Sequence, residues 1–341
     1  QQTLFPTFGA NPFGLVVKPP GAACNLSCSS CYYLEKDERF GYGAAPMSDE
    51  VLEEFTRQYI GAQPPGALVN FLWQGGEPCL MGLDFYNKAV ALQQKYADGR
   101  TIENSFQTNG VLLNDAWCRF FRDNRFLVGI SIDGPAEYHD PYRKTHTGKP
   151  SFDKVIRAIR LMTEHQVEFN TLTAVNDLNG DHPLEIYRFL KSIGSRYMQF
   201  MPVVERQVSG ADSRHIQLVN NAFRGNAEVA PWSVKPEQFG QFMIRIFDEW
   251  IKHDVGAYFV MLFESALANH RGIAPGICMY APGCGHNGTL EHNGDVYTCD
   301  HYVFPQNFLG NIFRDSLSSM MNSTRQQVFG QDKFATLPGY C

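Results

Sequence analysis

The stretch that decides the fold is Cys24-Asn25-Leu26-Ser27-Cys28-Ser29-Ser30-Cys31, where three cysteines are separated by three and then by two residues. The apolar residues 13–18 come just before it and predict a short buried strand that leads into this loop. One tight loop can then direct three thiolates at a common point, as an iron–sulfur cluster or a zinc ion requires. Three ligands leave one metal position open for chemistry, whereas a closed structural site has four. The loop therefore predicts a catalytic cluster, and a zinc knuckle with a distant fourth cysteine is the alternative.

The composition is that of a globular protein with a sizeable core: 341 residues, 44% hydrophobic and 13% aromatic, with a net charge of −6. No Lys/Arg-rich run, membrane-spanning apolar stretch or signal-peptide pattern stands out. We therefore expect no nucleic acid and no membrane as partner, and a cytoplasmic location.

The nine cysteines favour metal binding over a disulfide framework, because they fall into clusters in a chain without a secretory pattern. Cys79 and Cys118 stand apart, and we interpret them as buried thiols. The clustered cysteines form two groups: Cys24, Cys28 and Cys31, and then Cys278, Cys284, Cys299 and Cys341.

Six strand-like segments alternate with helical patterns along the first 201 residues, and this predicts an α/β fold with a parallel sheet. Active sites in such folds lie at the carboxyl ends of the strands. Ser48 is predicted to cap one helix, and Asp181 another that carries Pro183 in its first turn. The predicted strands are 13–18, 67–73, 101–106, 126–132, 167–175 and 197–201, and the helices 48–59, 83–96, 114–123, 151–165, 181–193 and 236–253.

Three regions follow from these patterns. Residues 1–235 are expected to form the barrel-like unit, with a polar insertion near 205–235, and residues 236–275 a helical bridge. Residues 276–341 begin a cysteine-rich unit with a hairpin over 290–297, whose Asn-Gly pair suits a tight turn.

The cysteine loop resembles that of the radical S-adenosylmethionine enzymes. The resemblance implies that Cys24, Cys28 and Cys31 hold a four-iron, four-sulfur cluster whose fourth iron chelates S-adenosylmethionine. The family usually has an aromatic residue before the last cysteine, to pack against adenine; here it is Ser30. Tyr32 and Tyr33 follow and are expected to supply part of that surface.

Gln74-Gly75-Gly76-Glu77-Pro78 follows the second predicted strand, and its glycines allow a close approach of backbone to ligand. A plain glycine turn is the alternative. The same family has a matching segment that receives the methionine amino group, which implies this role for Gly75, Gly76 and Glu77.

The segments 105–110 and 131–135 narrow the resemblance to the anaerobic sulfatase-maturating enzymes. It implies that Ser131 and Arg143 bind the ribose and carboxylate of the cofactor, and that the Val204 backbone contacts adenine. The planar guanidinium of Arg143 suits a carboxylate. An Arg143 that is only paired at the surface is the alternative.

The carboxyl-terminal cysteines predict a second metal site, since a hairpin can fold Cys299 back toward Cys278 and Cys284. A zinc ribbon is the alternative. The resemblance implies a SPASM-type domain with two auxiliary iron–sulfur clusters, the first held by these three cysteines. Cys341 would be the first ligand of the second cluster, and we expect the remaining ligands beyond it, so that this domain is truncated here.

Asp300 directly follows Cys299, and the resemblance implies that it is the general base for the target thiol or hydroxyl. His301 is the competitor, because its ordinary pKa suits neutral pH. Strand alternation would place these two side chains on opposite faces. A third possibility is that Asp300 only accepts turn hydrogen bonds.

Taken together, the sequence predicts a partial (β/α)6 barrel followed by a truncated auxiliary-cluster domain. The implied activity is oxidation of a cysteine or serine in an unfolded sulfatase segment to Cα-formylglycine, with flavodoxin or ferredoxin as electron donor. Two alternatives stay open: a radical enzyme that makes another peptide modification, such as a thioether crosslink, and a zinc-structured peptide-binding protein.

Overall fold

The computed structural model describes residues 12–31, 33, 45–208, 223–274 and 276–337. In this part of the chain the strands are β1 (Gly14–Lys18), β2 (Leu68–Trp73), β3 (Thr101–Thr108), β4 (Phe126–Ser131), β5 (Phe169–Val175), β6 (Tyr197–Pro202), β7 (Arg206–Val208), β8 (Ala227–Val229), β9 (Phe259–Val260), β10 (Asn287–Glu291), β11 (Asp295–Tyr297) and β12 (Phe308–Asn311). The helices are α1 (Asp49–Gly61), α2 (Gly82–Tyr96), α3 (Asp115–Asp123), α4 (Ala136–His139), α5 (Phe152–Glu164), α6 (Pro183–Ser192), α7 (Pro236–His253), α8 (Met261–His270), α9 (Leu317–Met321) and α10 (Thr324–Ala335).

Ten strands form one sheet in the order β12-β11-β10-β1-β2-β3-β4-β5-β6-β9. Strands β1 to β6 are parallel and lie in chain order, as crossover connections through helices require. The predicted α/β fold with six parallel strands is confirmed. The carboxyl ends of these strands meet at one edge, which is where the site is built.

The C-terminal hairpin continues this sheet, because β10 pairs in parallel with β1 over its whole length. The register places Leu15 opposite Gly288 and Lys18 opposite Glu291. The two cysteine groups are therefore carried by neighbouring strands of one sheet.

The outer face of the sheet packs against helices through a row of aromatic rings. Trp73 and Phe71 are fully buried, and the Phe71 ring lies 5.4 Å from that of Phe55 on α1. Phe106 continues the row on β3, 5.1 Å from the ring of Tyr86 on α2. Truncating one such ring to alanine costs about 3–5 kcal/mol, so this face fixes the strands that position the site.

Of the two predicted helix caps, one is confirmed and one is wrong. Ser48 caps α1, and its Oγ accepts from the Val51 N–H at 3.3 Å, as predicted. The prediction for Asp181 is wrong, because His182 occupies the N-cap of α6. A turn bonded from the His182 N–H to the Asn179 carbonyl precedes it and sets the first helical residue at Pro183.

Candidate active site

The cysteine loop lies at the carboxyl end of β1 and is held along one side by residues 142–145. The Ser27 N–H donates to the Lys144 carbonyl at 2.7 Å, and the Ser29 N–H donates to that of Tyr142 at 3.2 Å. His146 adds a bond of 2.9 Å from Nε2 to the Cys24 carbonyl. One segment that is distant in the sequence, residues 142–146, thus fixes the backbone that carries the three cysteines.

The three thiols are half-buried and electrostatically coupled. The pKa of Cys24 is raised to about 11 and that of Cys28 to about 12, mainly by burial and with a smaller contribution from charge on Cys31. Arg143 opposes the shift at Cys28. Deprotonated thiolates here need a positive partner, and an iron–sulfur cluster supplies one. The donor set therefore fits a cluster.

A site for one metal ion needs a different geometry from a site for a cluster. Among the described residues, no three His, Cys, Asp or Glu side chains surround a point where one metal ion could sit. A cluster does not require such a point, since each thiolate binds a different iron.

Glu77 joins the glycine segment to β3 and to the cysteine loop. Its buried carboxylate accepts from the Cys79 N–H at 3.0 Å, from the Thr108 hydroxyl at 2.8 Å and from the Asn109 N–H at 2.8 Å. Burial raises the pKa of this carboxyl, and the three donors oppose that shift. The Glu77 N–H donates to the Ala23 carbonyl at 2.8 Å. In this structure Glu77 positions the site, and its predicted contact with the cofactor stays a prediction.

Gly75 and Gly76 both have positive φ angles, of 119° and 52°. A Cβ on Gly76 would lie 2.1 Å from the Ala23 carbonyl oxygen, and one on Gly75 would lie 2.6 Å from the Lys18 side chain. The backbone here approaches the cysteine loop so closely that only glycine fits. That gives the two glycines a structural reason, and their role toward methionine stays a prediction.

Asn109 is a site residue that the sequence reasoning missed. Its Oδ1 accepts from the Val111 N–H at 3.0 Å, which turns the amide nitrogen toward the cysteine loop. Nδ2 lies 2.7 Å from the Asn25 Oδ1 and 3.7 Å from the Cys24 sulfur. An N–H donor at a ligand sulfur tunes the cluster. The signal was the Asn-Gly pair that ends β3.

Arg143 forms a two-point ion pair with Asp133, at 2.5 Å from Nε and 3.0 Å from Nη2. The pair is largely buried, with side chains 14% and 2% exposed, so it differs from the simple surface pair considered above. Burial disfavours the guanidinium charge, but Asp133 and then Cys28 outweigh it and raise the pKa of Arg143. Arg143 thus lies between Asp133 and the cysteine loop.

His139 holds this ion pair in place from behind. The Asp133 N–H donates to its Nδ1 at 3.3 Å, so Nε2 carries the proton and faces the Ser151 hydroxyl at 3.0 Å. That hydroxyl donates to the Arg143 carbonyl at 2.7 Å. Burial lowers the pKa of His139 to about 4 and keeps the ring neutral. Nothing in the sequence distinguished this histidine.

Ser131 is the last residue of β4, and Val204 comes shortly after the end of β6. The Ser131 hydroxyl accepts from Gln107 Nε2 at 3.2 Å. Val204 is 61% exposed, while the Val203 N–H is bonded to Val175 and the Glu205 N–H to Ser233. Both residues lie at the predicted edge, and their contacts with the cofactor stay predictions.

A buried ion pair joins the two cysteine regions. Lys18, the last residue of β1, is fully buried, and its Nζ lies 2.5 Å from Asp300 Oδ1. The same ammonium lies 4.3 Å from the centre of the Tyr33 ring. The Tyr33 hydroxyl donates to Glu291 on β10. The sequence reasoning missed Lys18, whose one signal is a lysine that ends an apolar strand.

Tyr33 therefore lies in the joint between β1 and the C-terminal hairpin, 6% exposed. Its predicted packing against adenine stays a prediction. Tyr32 and Cys341, also predicted as ligands of the cofactor and of a cluster, lie outside the described residues.

Asp300 does not lie on a strand. Residues Asp300–Tyr302 form a 3₁₀ turn that begins after Cys299. The expectation that strand alternation separates Asp300 from His301 is therefore wrong. The Asp300 carboxylate is held in place by its ion pair with Lys18, and the Asp300 side chain is 12% exposed.

The second group of cysteines also fits a cluster. Cys278 is exposed, and Cys284 and Cys299 are half-buried. Burial raises the pKa of Cys299 to about 12, and charge on Asp300, Cys278 and Cys284 adds to the shift. Three thiols whose charges act on one another are again a donor set that needs metal charge.

The comparisons with known proteins agree with this geometry. The Radical SAM superfamily matches residues 19–190, and an iron-sulfur cluster-binding domain, SPASM, matches residues 284–341. The serine-type anaerobic sulfatase-maturating enzyme of Bacteroides thetaiotaomicron is 51% identical over 333 residues, which are 97% of this chain and 80% of that protein. The chain belongs to the anaerobic sulfatase-maturating enzymes.

Other members are more distant. The serine-type enzyme of Klebsiella aerogenes is 39% identical, over 94% of this chain and 75% of that protein. The cysteine-type enzyme of Clostridium perfringens is 32% identical, over 95% and 84%. The solved structure of native anSMEcpe with bound AdoMet and Cp18Cys peptide superimposes with a TM-score of 0.82 at 30% identity, over 95% of this chain and 84% of that one.

This anaerobic sulfatase-maturating enzyme is therefore a radical S-adenosylmethionine enzyme with iron–sulfur cofactors, as the sequence predicted. Family membership sets aside the zinc-structured binding protein. Within the described part of the chain, no helix has the length and apolar character needed to cross a membrane.

Proposed function

We propose that this anaerobic sulfatase-maturating enzyme acts on a seryl residue in an unfolded segment of a sulfatase and oxidises it to Cα-formylglycine. Identity is 51% with a serine-type member and 32% with a cysteine-type one, which supports serine as the target. One observation supports this chemistry: the buried ion pair between Asp300, which is next to Cys299, and Lys18, which ends the strand that leads into the first cysteine group.

The cofactors are assigned to the residues that converge on this edge. We assign the S-adenosylmethionine-binding cluster to Cys24, Cys28 and Cys31, and S-adenosylmethionine to Gly75, Gly76, Glu77, Ser131, Arg143 and Val204, with Tyr32 and Tyr33 nearby. Asp133 uses two of the five N–H groups of Arg143, and the others suit a carboxylate. The auxiliary clusters are assigned to Cys278, Cys284 and Cys299, and to Cys341.

The cofactors, when bound, supply abstraction of a hydrogen atom from the target Cβ and accept the electron that leaves with the oxidation. The protein supplies the base. Asp300 accepts the proton of the target hydroxyl, or of a thiol, so that one hydrogen atom, one proton and one electron leave in all. Lys18 fixes the Asp300 carboxylate through an ion pair that a fully buried ammonium cannot exchange for water.

Flavodoxin or ferredoxin is proposed as the electron donor and the cytoplasm as the location. None of the eight cysteines in the described residues forms a disulfide, which is typical of a reducing compartment.

The test uses the anaerobically reconstituted holoenzyme, S-adenosylmethionine and a reductant. Two peptides that differ only in serine or cysteine at the target position are compared by mass spectrometry. We expect the serine peptide to become lighter by two hydrogen atoms and to react with an aldehyde probe. Conversion of the cysteine peptide alone would contradict the serine assignment. A product that keeps its sulfur in a crosslink would favour the thioether alternative.

A further inference from the structure

One face of α10 contacts Cys278, Cys284 and the residue before Cys299, and these three cysteines are the ones assigned to the first auxiliary cluster. Gln326 Nε2 donates to the Gly285 carbonyl at 2.9 Å and to the Thr298 carbonyl at 3.0 Å. Gly285 is next to Cys284, and Thr298 is next to Cys299. One buried amide thus joins the backbone segments that carry two of the cysteines.

Gly330 lies one helical turn further along. Its carbonyl accepts from the Cys284 N–H at 3.1 Å, and a Cβ at this position would lie 2.4 Å from the Cys284 carbonyl oxygen. The helix backbone therefore touches the cysteine backbone directly. Any side chain larger than hydrogen would push the two apart.

Lys333 completes the face. Its ammonium donates to three carbonyls of the loop that begins at Cys278: 2.5 Å to Cys278, 2.8 Å to Met279 and 2.7 Å to Ala281. Gln326, Gly330 and Lys333 are spaced at i, i+4 and i+7, so they share one side of the helix.

Lys333 also brings charge. Its ammonium lies 2.5 Å from the carbonyl oxygen of Cys278, so the positive charge is held against the backbone of an assigned cluster ligand. A fixed positive charge stabilises the reduced form of a cluster, which is the more negative form, and so raises the reduction potential.

We propose that the Gln326–Gly330–Lys333 face of α10 is a clamp that shapes the first auxiliary cluster site, and that Lys333 makes that cluster a better electron acceptor. The proposal rests on the assignment of Cys278, Cys284 and Cys299 as ligands. These α10 residues act through the cysteines, so they are positioning residues.

The first test compares Gly330→Ala with Gly240→Ala. Both glycines lie in helices, but a Cβ at Gly240 meets nothing within 4 Å. In reconstituted holoenzyme, Gly330→Ala is expected to lose roughly four iron atoms per chain, the content of one cluster. Gly240→Ala should keep the full iron content. Equal iron in the two variants would overturn the clamp.

The second test changes the charge at Lys333 and introduces no backbone clash. Lys333→Met removes the charge, and Lys333→Arg keeps it. Potentials are measured by redox titration followed by electron paramagnetic resonance. At a fixed potential, the reduced-to-oxidised ratio of the auxiliary cluster should fall about tenfold in Lys333→Met, which equals about 59 mV for one electron. Lys333→Arg should stay near the native potential, and a native potential in Lys333→Met would overturn the charge role.

These readouts are independent of peptide oxidation. If the native enzyme failed to make formylglycine while Gly330→Ala still lost its cluster, the proposed function would fail and the clamp would stand. If formylglycine formed normally while Gly330→Ala kept all its iron, the clamp alone would fail.

Discussion

The two cysteine groups of this enzyme are held in different ways. Cys24 is contacted by Asn109 and His146, which are 85 and 122 residues away in the sequence and belong to separate parts of the barrel. The second group is held largely by one helix, α10, through Gln326 and Lys333. We therefore expect substitutions in the first site to disturb the barrel, and substitutions on α10 to affect mainly the second site.

The Lys18–Asp300 ion pair is where the two sites meet. Lys18 ends the strand that leads into the first group, and Asp300 follows the last cysteine of the second. The proposed base at this joint would serve chemistry that starts at one of the proposed clusters and ends at the other.

The largest difference in cofactor cleavage is expected between two alanine substitutions, one in each cysteine group. Cys28→Ala should abolish formation of 5′-deoxyadenosine, because the loop offers no spare thiolate. Cys284→Ala should still cleave the cofactor but make almost no formylglycine. Chromatography of both products from each variant gives the comparison. Normal cofactor cleavage in Cys28→Ala would remove the assignment of the first cluster.

Next in size is the effect of Glu77 on the free energy of unfolding. Glu77 is a structural hub, because its buried carboxylate binds β3 and its N–H binds the cysteine loop. Glu77→Ala leaves three donors unpaired in a buried place and should lower the free energy of unfolding by about 3 kcal/mol. Glu103→Ala, an exposed carboxylate on the neighbouring β3, should change it by less than about 0.5 kcal/mol. Urea denaturation of the cluster-free protein measures both. A Glu77→Ala protein as stable as Glu103→Ala would show that the hub does not support the barrel site.

The free energy of unfolding should also depend on pH, because of the buried His139. Its pKa is about 4 in the folded protein against 6.5 as its ordinary value, so the unfolded chain binds the extra proton between those values. Stability should therefore fall as the pH falls through this window, by up to about 3 kcal/mol. His139→Gln should flatten that part of the stability curve, measured on cluster-free protein. An unchanged curve would mean that other groups cause the acid sensitivity.

The smallest effect is expected at Asn109. Asn109→Ala removes one N–H donor from the Cys24 sulfur and should lower the potential of the first cluster, slowing cofactor cleavage by roughly threefold to tenfold at limiting reductant. The auxiliary cluster should keep its potential. A shift in the auxiliary cluster instead would mean that the two sites are coupled more closely than the contacts indicate.

The features that were predicted correctly from the sequence depend on residues that lie close together in the chain. Alternating strand and helix periodicity gave the six parallel strands, and Ser48 was recognised as a cap because capping is a contact within one turn. The first cysteine group was recognised because its spacing is local to one loop, and the second because a predicted hairpin brings Cys299 back toward Cys278 and Cys284.

What could not be predicted depends on partners far along the chain. The burial of Lys18 and its pairing with Asp300 follow only once β10 pairs with β1. The turn at Asp300 replaced an expected strand, and Glu77 proved to be a structural hub, because both depend on how distant backbone segments pack.

The central claim is that Asp300, held by Lys18, is the base. Formylglycine and 5′-deoxyadenosine are measured together in Asp300→Asn and His301→Ala holoenzymes with the serine peptide. The account predicts that Asp300→Asn keeps its iron and still cleaves the cofactor, while formylglycine falls by about a hundredfold or more, and that His301→Ala stays near the native rate. Near-native formylglycine from Asp300→Asn, with loss in His301→Ala, would contradict it.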